Sequence, residues 1–180
     1  MASARSTSGA DPLAAAARAA ELVRALAEPD DDAALRWVGE ILARHGETDA
    51  PARDDLPALR AAADGVRAVF AATDVAAAAA AINALFLRYG RLPRLTDHDG
   101  TTWHLHVDRD DDGPWAEWFA AGSALALAVL LAAWQAPPGG MCAAPDCVVP
   151  FVAHGAGTPR RYCSSRCATR VRVARHRGGR

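Results

Sequence analysis

"MCAAPDCVVPFVAHGAGTPRRYCSSRC", residues 141–167, holds all four cysteines of a 180-residue chain. Their spacing is Cys142-x4-Cys147-x15-Cys163-x3-Cys167. Two close pairs joined by a loop suit one tetrahedral Zn²⁺: each pair closes a small chelate, and the loop brings the second pair back to the first. Thiolates are soft ligands and favour zinc over hard cations. Four of them leave no open coordination position, so the expected site is structural rather than catalytic. Two disulfides, four separate buried cysteines or an iron–sulfur cluster are the competing readings. The pairing, and the absence of cysteine elsewhere, favour zinc. Residues 142–180 make a module of 39 residues, and a core that small rarely folds without a staple such as a metal.

Inside the module, "VVPFV" (148–152) reads as a short strand with Phe151 as a miniature core. "HGAGTP" (154–159) reads as a turn, and "RRYC" (160–163) as the partner strand. Ser164 and Ser165 can cap a helix that begins near Arg166, which puts Cys167 in its first turn. There the positive end of the helix dipole favours thiolate. A hairpin that supplies two ligands and a helix start that supplies two make a treble-clef-like arrangement. His154 lies mid-loop with no partner at ligand spacing, so it is read as a loop residue.

Charge is divided along the chain. Residues 1–141 carry 12 arginines and 20 acids, a balance of −8; residues 142–180 carry 8 arginines and one acid, Asp146, a balance of +7. There is no lysine, a bias that explains the choice of arginine but not its placement. Arg160, Arg161, Arg166, Arg170, Arg172, Arg175 and Arg177 are the candidate phosphate-contacting residues. A solvated basic tail, or a surface that docks on the acidic body, would explain the same cluster.

Upstream the pattern is helical. Residues 1–10 are small, polar and unpatterned, and are expected to be disordered. Asp11-Pro12 starts a first helix that ends before Glu28-Pro29. A second follows in "DDDAALRWVGEILARHG" (30–46), with Leu35, Val38, Ile41 and Leu42 inward. A third covers 56–72 with Leu59, Val66, Val69 and Phe70 inward, and a fourth covers 74–89 with Ile82, Leu85 and Phe86. The period then changes to two around Asp99-Gly100, a hairpin signal near 91–107. "WAEWFAAGSALALAVLLAAWQ" (115–135) predicts a long apolar helix at the centre of the core. Its most apolar run, 120–133, is 14 residues against the roughly 20 of a membrane span. "APPGG" marks a linker over 136–141 between a body at 11–135 and the module. The fold expected is mainly α with a small β-hairpin (α+β).

The segments "CAAPDC" and "RRYCSSRCATRVRVARHR" resemble the CGNR zinc finger. That finger ends bacterial proteins, many of them actinobacterial, described as stress-induced transcription regulators. The "PRL…DGTTWHLHV" hairpin, the long helix and the linker are similar in layout to the ABATE domain that precedes it in that family. The resemblance implies zinc ligands at Cys142, Cys147, Cys163 and Cys167, and DNA as partner. Where the family has Cys-Gly-Asn-Arg, this chain has Cys167-Ala168-Thr169-Arg170, so arginine is kept while glycine and asparagine are replaced. The "LDFVNT"-like start of that domain is not recognisable near Leu13.

Other chemistry is sparse. On a strand, His104 and His106 share the face opposite Trp103, Leu105 and Val107. With Asp97 and His98 nearby they could hold a second metal, but the polar face of an amphipathic strand is the simpler reading. No phosphate-binding glycine loop or nucleophile motif is present, so no enzyme activity is expected. The start, "MASARSTSGADP", lacks an apolar signal core, so a cytoplasmic protein without a membrane partner is expected. The function expected is transcription regulation, with the finger holding nucleic acid and the body sensing a signal or forming a homodimer. A zinc-stapled protein-interaction module and a thiol redox sensor are the alternatives.

Overall fold

The computed structural model describes residues 11–97, 103–110, 112–153 and 160–178. The expectations for residues 1–10, His98, the Asp99-Gly100 turn, His154 and the 154–159 turn lie outside them. Mainly helical architecture is found, with two small antiparallel strand pairs.

Helix α1 runs Pro12–Leu26, α2 Asp31–Arg44, α3 Leu56–Ala71 and α4 Val75–Tyr89. Three of the four starts carry an aspartate cap. The Asp11 side chain accepts from the Leu13 amide, Asp30 from Ala33 and Asp74 from Ala77, at 2.8–2.9 Å. These bonds satisfy amides that a helix leaves open at its first turn. Past the end of α2, Gly46 takes φ +87°, a conformation that glycine adopts without a Cβ penalty. Helix α5, Trp115–Trp134, packs against α1, α3 and α4. It outruns the 14-residue apolar stretch and is long and apolar enough, by length and composition alone, to cross a membrane. Here 61% of its apolar window is buried inside the fold, as befits a central core helix. Alanines at the contacts (Ala16, Ala19, Ala62, Ala120 and Ala124) let the backbones approach closely, while Phe70, Leu42, Leu127 and Val66 fill the volume between them.

Strands β1 (Arg94–Thr96) and β2 (His104–His106) pair antiparallel, Leu95 opposite Leu105. The hairpin corrects the expectation in part: its histidine face turns inward and Trp103 outward, while Leu105 is half-buried and Val107 is buried. His104 and His106 are 6% and 1% exposed, whereas Trp103 and Leu95 are 68% and 67% exposed. The inward face can be polar because its groups pair with one another, leaving Asp108 Oδ2 as a buried oxygen without a hydrogen bond. His106 Nδ1 lies 2.9 Å from Asp108 Oδ1, the two histidine Nε2 atoms are 3.0 Å apart, and Arg94 Nη2 donates to the same Asp108 oxygen at 3.3 Å. Nearby, buried Glu117 at the start of α5 accepts from the Arg109 amide at 3.1 Å and pairs with Arg91 at 3.4 Å. A polar face can turn inward when it carries its own partners.

The second pair corrects two further expectations. Strand β4 (Pro150–Val152) is paired not with 160–163 but with β3 (Gly139–Met141), Gly140 opposite Phe151. The glycines read as part of a linker are therefore strand residues. The reason is close approach: a Cβ on Gly139 would lie 2.3 Å from the Phe151 carbonyl oxygen and 2.7 Å from Phe70 Cδ1. This pair packs against the helical body, β4 on α1 and β3 on α3, and Val152 joins the main core. Gly139→Ala is expected to lower stability by about 2–3 kcal/mol, because a methyl group pressed on a backbone oxygen has nowhere to go. Thermal melting should show a midpoint lowered by roughly 5–10 °C; an unchanged midpoint would mean that the seam is looser than drawn.

Candidate metal centre

Three pieces of chain meet at the cysteines. Beyond β3, the Cys142 amide donates to the Val149 carbonyl at 3.0 Å, extending the β3–β4 ladder by one residue. The Cys147 amide donates to the Ala144 carbonyl at 3.2 Å, and Asp146 takes φ +58° in the tight turn between the first two thiols. The returning segment runs beside this turn: the Ala143 amide donates to the Arg161 carbonyl at 2.9 Å, and the Cys163 amide to Cys142 Sγ at 3.4 Å. Helix α6, Ser165–Gly178, then starts on Ser164, whose hydroxyl accepts from the Cys167 amide at 3.3 Å. That is the expected cap, and it sets Cys167 in the first turn.

The four Sγ atoms all lie within 4.8 Å of one another. Cys147 and Cys163 are 3.8 Å apart, Cys163 and Cys167 3.7 Å, and Cys167 and Cys147 3.8 Å. A tetrahedral zinc with bonds of about 2.3 Å requires edges of about 3.8 Å. The cluster thus has the size and donor set of a four-thiolate zinc site. Disulfides are not formed: all four cysteines are free. Among the described residues no other group of three or more histidine, cysteine or acidic side chains converges in this way.

Cys142 and Cys163 are driven in opposite directions. Burial opposes charge on Cys142, but hydrogen bonds from the Cys163 and Ala144 amides and from neighbouring thiols bring it down to about 7. Burial, with hydrogen bonds to Cys142 and Cys167, pushes Cys163 up to about 12. A bound dication removes this conflict, because it stabilises all the thiolates together.

Residues 140–179 match the CGNR zinc finger family. No curated protein matches the chain. In the finger, the arginine retained from the name motif has a structural contact: Arg170 Nη2 donates to the Pro145 carbonyl at 2.9 Å and ties α6 to the turn between the first two cysteines. Arg160 is also engaged, donating to the Tyr162 carbonyl at 2.8 Å and to the Cys163 carbonyl, with its guanidinium 5.1 Å over the Phe151 ring. Arg161, Arg166, Arg172, Arg175 and Arg177 are exposed. The seven candidate arginines therefore divide into two that also bond within the finger and five that present charge on its surface. Spacing alone does not reveal the internal roles of Arg160 and Arg170, because the carbonyls they reach are set by the turns.

His104 and His106 lie in the body, on the inward face of the hairpin, and do not join the thiols. A His104→Ala/His106→Ala variant should keep the zinc content of the parent by elemental analysis while losing about 2–4 kcal/mol of stability, since it removes buried side chains and leaves Asp108 short of a partner. Loss of a metal equivalent would reveal a second site.

Proposed function

We propose that this protein is a zinc-binding transcription regulator that does no catalysis, and that its CGNR finger holds nucleic acid through arginines. The observation that carries this reading is helix α6. It contains no acidic residue, begins inside the four-thiol cluster, and exposes Arg166, Arg172, Arg175 and Arg177. With zinc bound by Cys142, Cys147, Cys163 and Cys167, the ion would fix the start of α6 and supply no reactive position. Arg160 and Arg170 would hold the turns in place, and the remaining arginines would neutralise phosphates. The helical body, similar in layout to the ABATE domain, would sense a signal or dimerise. Cytoplasmic DNA is the partner in this reading.

The experiment is selection of zinc-loaded protein against random duplex DNA, followed by titration of one recovered site at several salt concentrations. Steep salt dependence with preference for that site supports the reading. Binding only to acidic protein partners would make the finger an interaction module.

A further inference from the structure

One face of the hairpin changes character along β2. Trp103, just before the strand, is 68% exposed, Leu105 is half-buried and Val107 is buried. These three alternate with the histidines and so share a face. Leu95, 67% exposed, stands directly opposite Leu105 on the same face. A hollow of about 120 Å³ opens where Leu105 and Val107 meet Leu125 and Val129 of α5. Val129, on its wall, is 45% exposed. Arg18 and His106 also line the hollow, and both have partners in the body. Arg18 pairs with Glu47 at 3.2 Å and lies 4.8 Å over the Trp118 ring, and His106 lies 2.9 Å from Asp108. Neither has a buried nitrogen without a hydrogen bond.

The hollow therefore suits an apolar occupant. A projecting tryptophan stands two residues from its edge on the same strand. Tryptophan is enriched at interfaces, where its ring is covered and its N–H stays at the wet rim. A projection and a recess on one patch are what a twofold pair requires, because each surface must complement itself. A different partner would call for only one of the two. Size agrees. An apolar cavity of about 150 Å³ takes benzene, so this hollow takes one edge of an indole. Leu95, Trp103, Val129 and the open wall of the hollow present roughly 400 Å² of apolar surface, close to the ~450 Å² apolar share of a standard interface of about 800 Å² per partner. We infer that this face is the contact of a homodimer in which Trp103 of each chain seats in the hollow of the other. The inference deepens the dimerising role proposed for the body and stands apart from nucleic-acid binding.

The test is sedimentation equilibrium of the full-length, zinc-loaded protein without DNA at micromolar concentrations. The mass should be twice the 18.8 kDa of one chain. Trp103→Ser removes the projection from an exposed position, and Val129→Glu blocks the hollow with a charge. Each alone should raise the dimer dissociation constant by about a hundredfold or more, while zinc content and circular dichroism stay as in the parent. Mixed in equal amounts, the two variants should associate again, because Trp103 of the Val129→Glu chain can seat in the intact hollow of the Trp103→Ser chain. Three results would overturn the pairing: a monomeric parent, a Trp103→Ser chain with the parental dissociation constant, or a mixture that associates no better than its components. A dimer that forms in this way but fails to bind duplex DNA would count against the nucleic-acid reading alone.

Discussion

Cys163→Ser is expected to take the zinc content from about one per chain to near zero and to unfold everything beyond residue 160. Cys163 Sγ sits 3.8 Å from Cys147 Sγ and 3.7 Å from Cys167 Sγ, so its loss breaks both the second chelate and the closure onto the first. Structural zinc in small fingers contributes roughly 10–16 kcal/mol at neutral pH. Little else is available to order this segment, since none of residues 160–177 is buried. The β3–β4 pair should behave differently. Phe151 and Val152 are buried, and Val152 packs into the main core against α1. The boundary between zinc-dependent and zinc-independent structure is therefore expected after Val152, not at the 136–141 stretch. Circular dichroism should lose about the helix content of α6 alone. Trypsin should cut at Arg160, Arg161 and Arg166 in the variant while the body survives. Cys147→Ser should give the same pattern. A parent-like zinc content, or a trypsin-resistant α6 in the metal-free variant, would remove the assignment of these ligands.

The five body helices and the thiol cluster were legible because they depend on local rules. Asp11, Asp30 and Asp74 announce helix starts by capping chemistry, and the inward residues of α3 follow a 3.6-residue period. Paired cysteines announce a metal by chelate geometry. The hairpin is legible in the alternation, but the burial of its histidine face is not. Alternation in "TWHLHV" defines two faces without saying which turns inward. The outcome is decided by Asp108 and Arg94, which give the histidine face internal partners, and their convergence is a tertiary fact. "APPGG" misled for a related reason. Glycine marks flexibility when nothing is near it and close packing when something is; here Phe70 and Phe151 lie against Gly139. The partner of β4 was misassigned with it, because the return segment 160–163 aligns with Ala143 rather than with Phe151.

Replacing Arg166, Arg172, Arg175 and Arg177 together with glutamine is expected to reduce duplex DNA affinity by two to three orders of magnitude near 0.1 M salt. The argument is counterion release: each phosphate neutralised contributes about −0.9 to the slope of log K against log salt. If the four residues make three or four such contacts, the slope should become shallower by about 3. Arg170 stays unchanged in this variant on purpose. Its bond to the Pro145 carbonyl means that its removal would loosen the finger and confuse a folding effect with a binding effect. Glutamine keeps helix propensity close to that of arginine, and α6 is tied to the cluster through Cys163 and Cys167, so zinc content and circular dichroism should match the parent. The pairs also separate two binding faces. Arg166 and Arg177 lie close together around the α6 axis, at 3.6 residues per turn, whereas Arg172 and Arg175 lie on another side. A larger loss from one pair than from the other would orient the helix on its duplex. A zinc-loaded quadruple variant that binds with parental affinity and slope would move the arginines from nucleic acid to an acidic protein partner, and the finger would then be an interaction module.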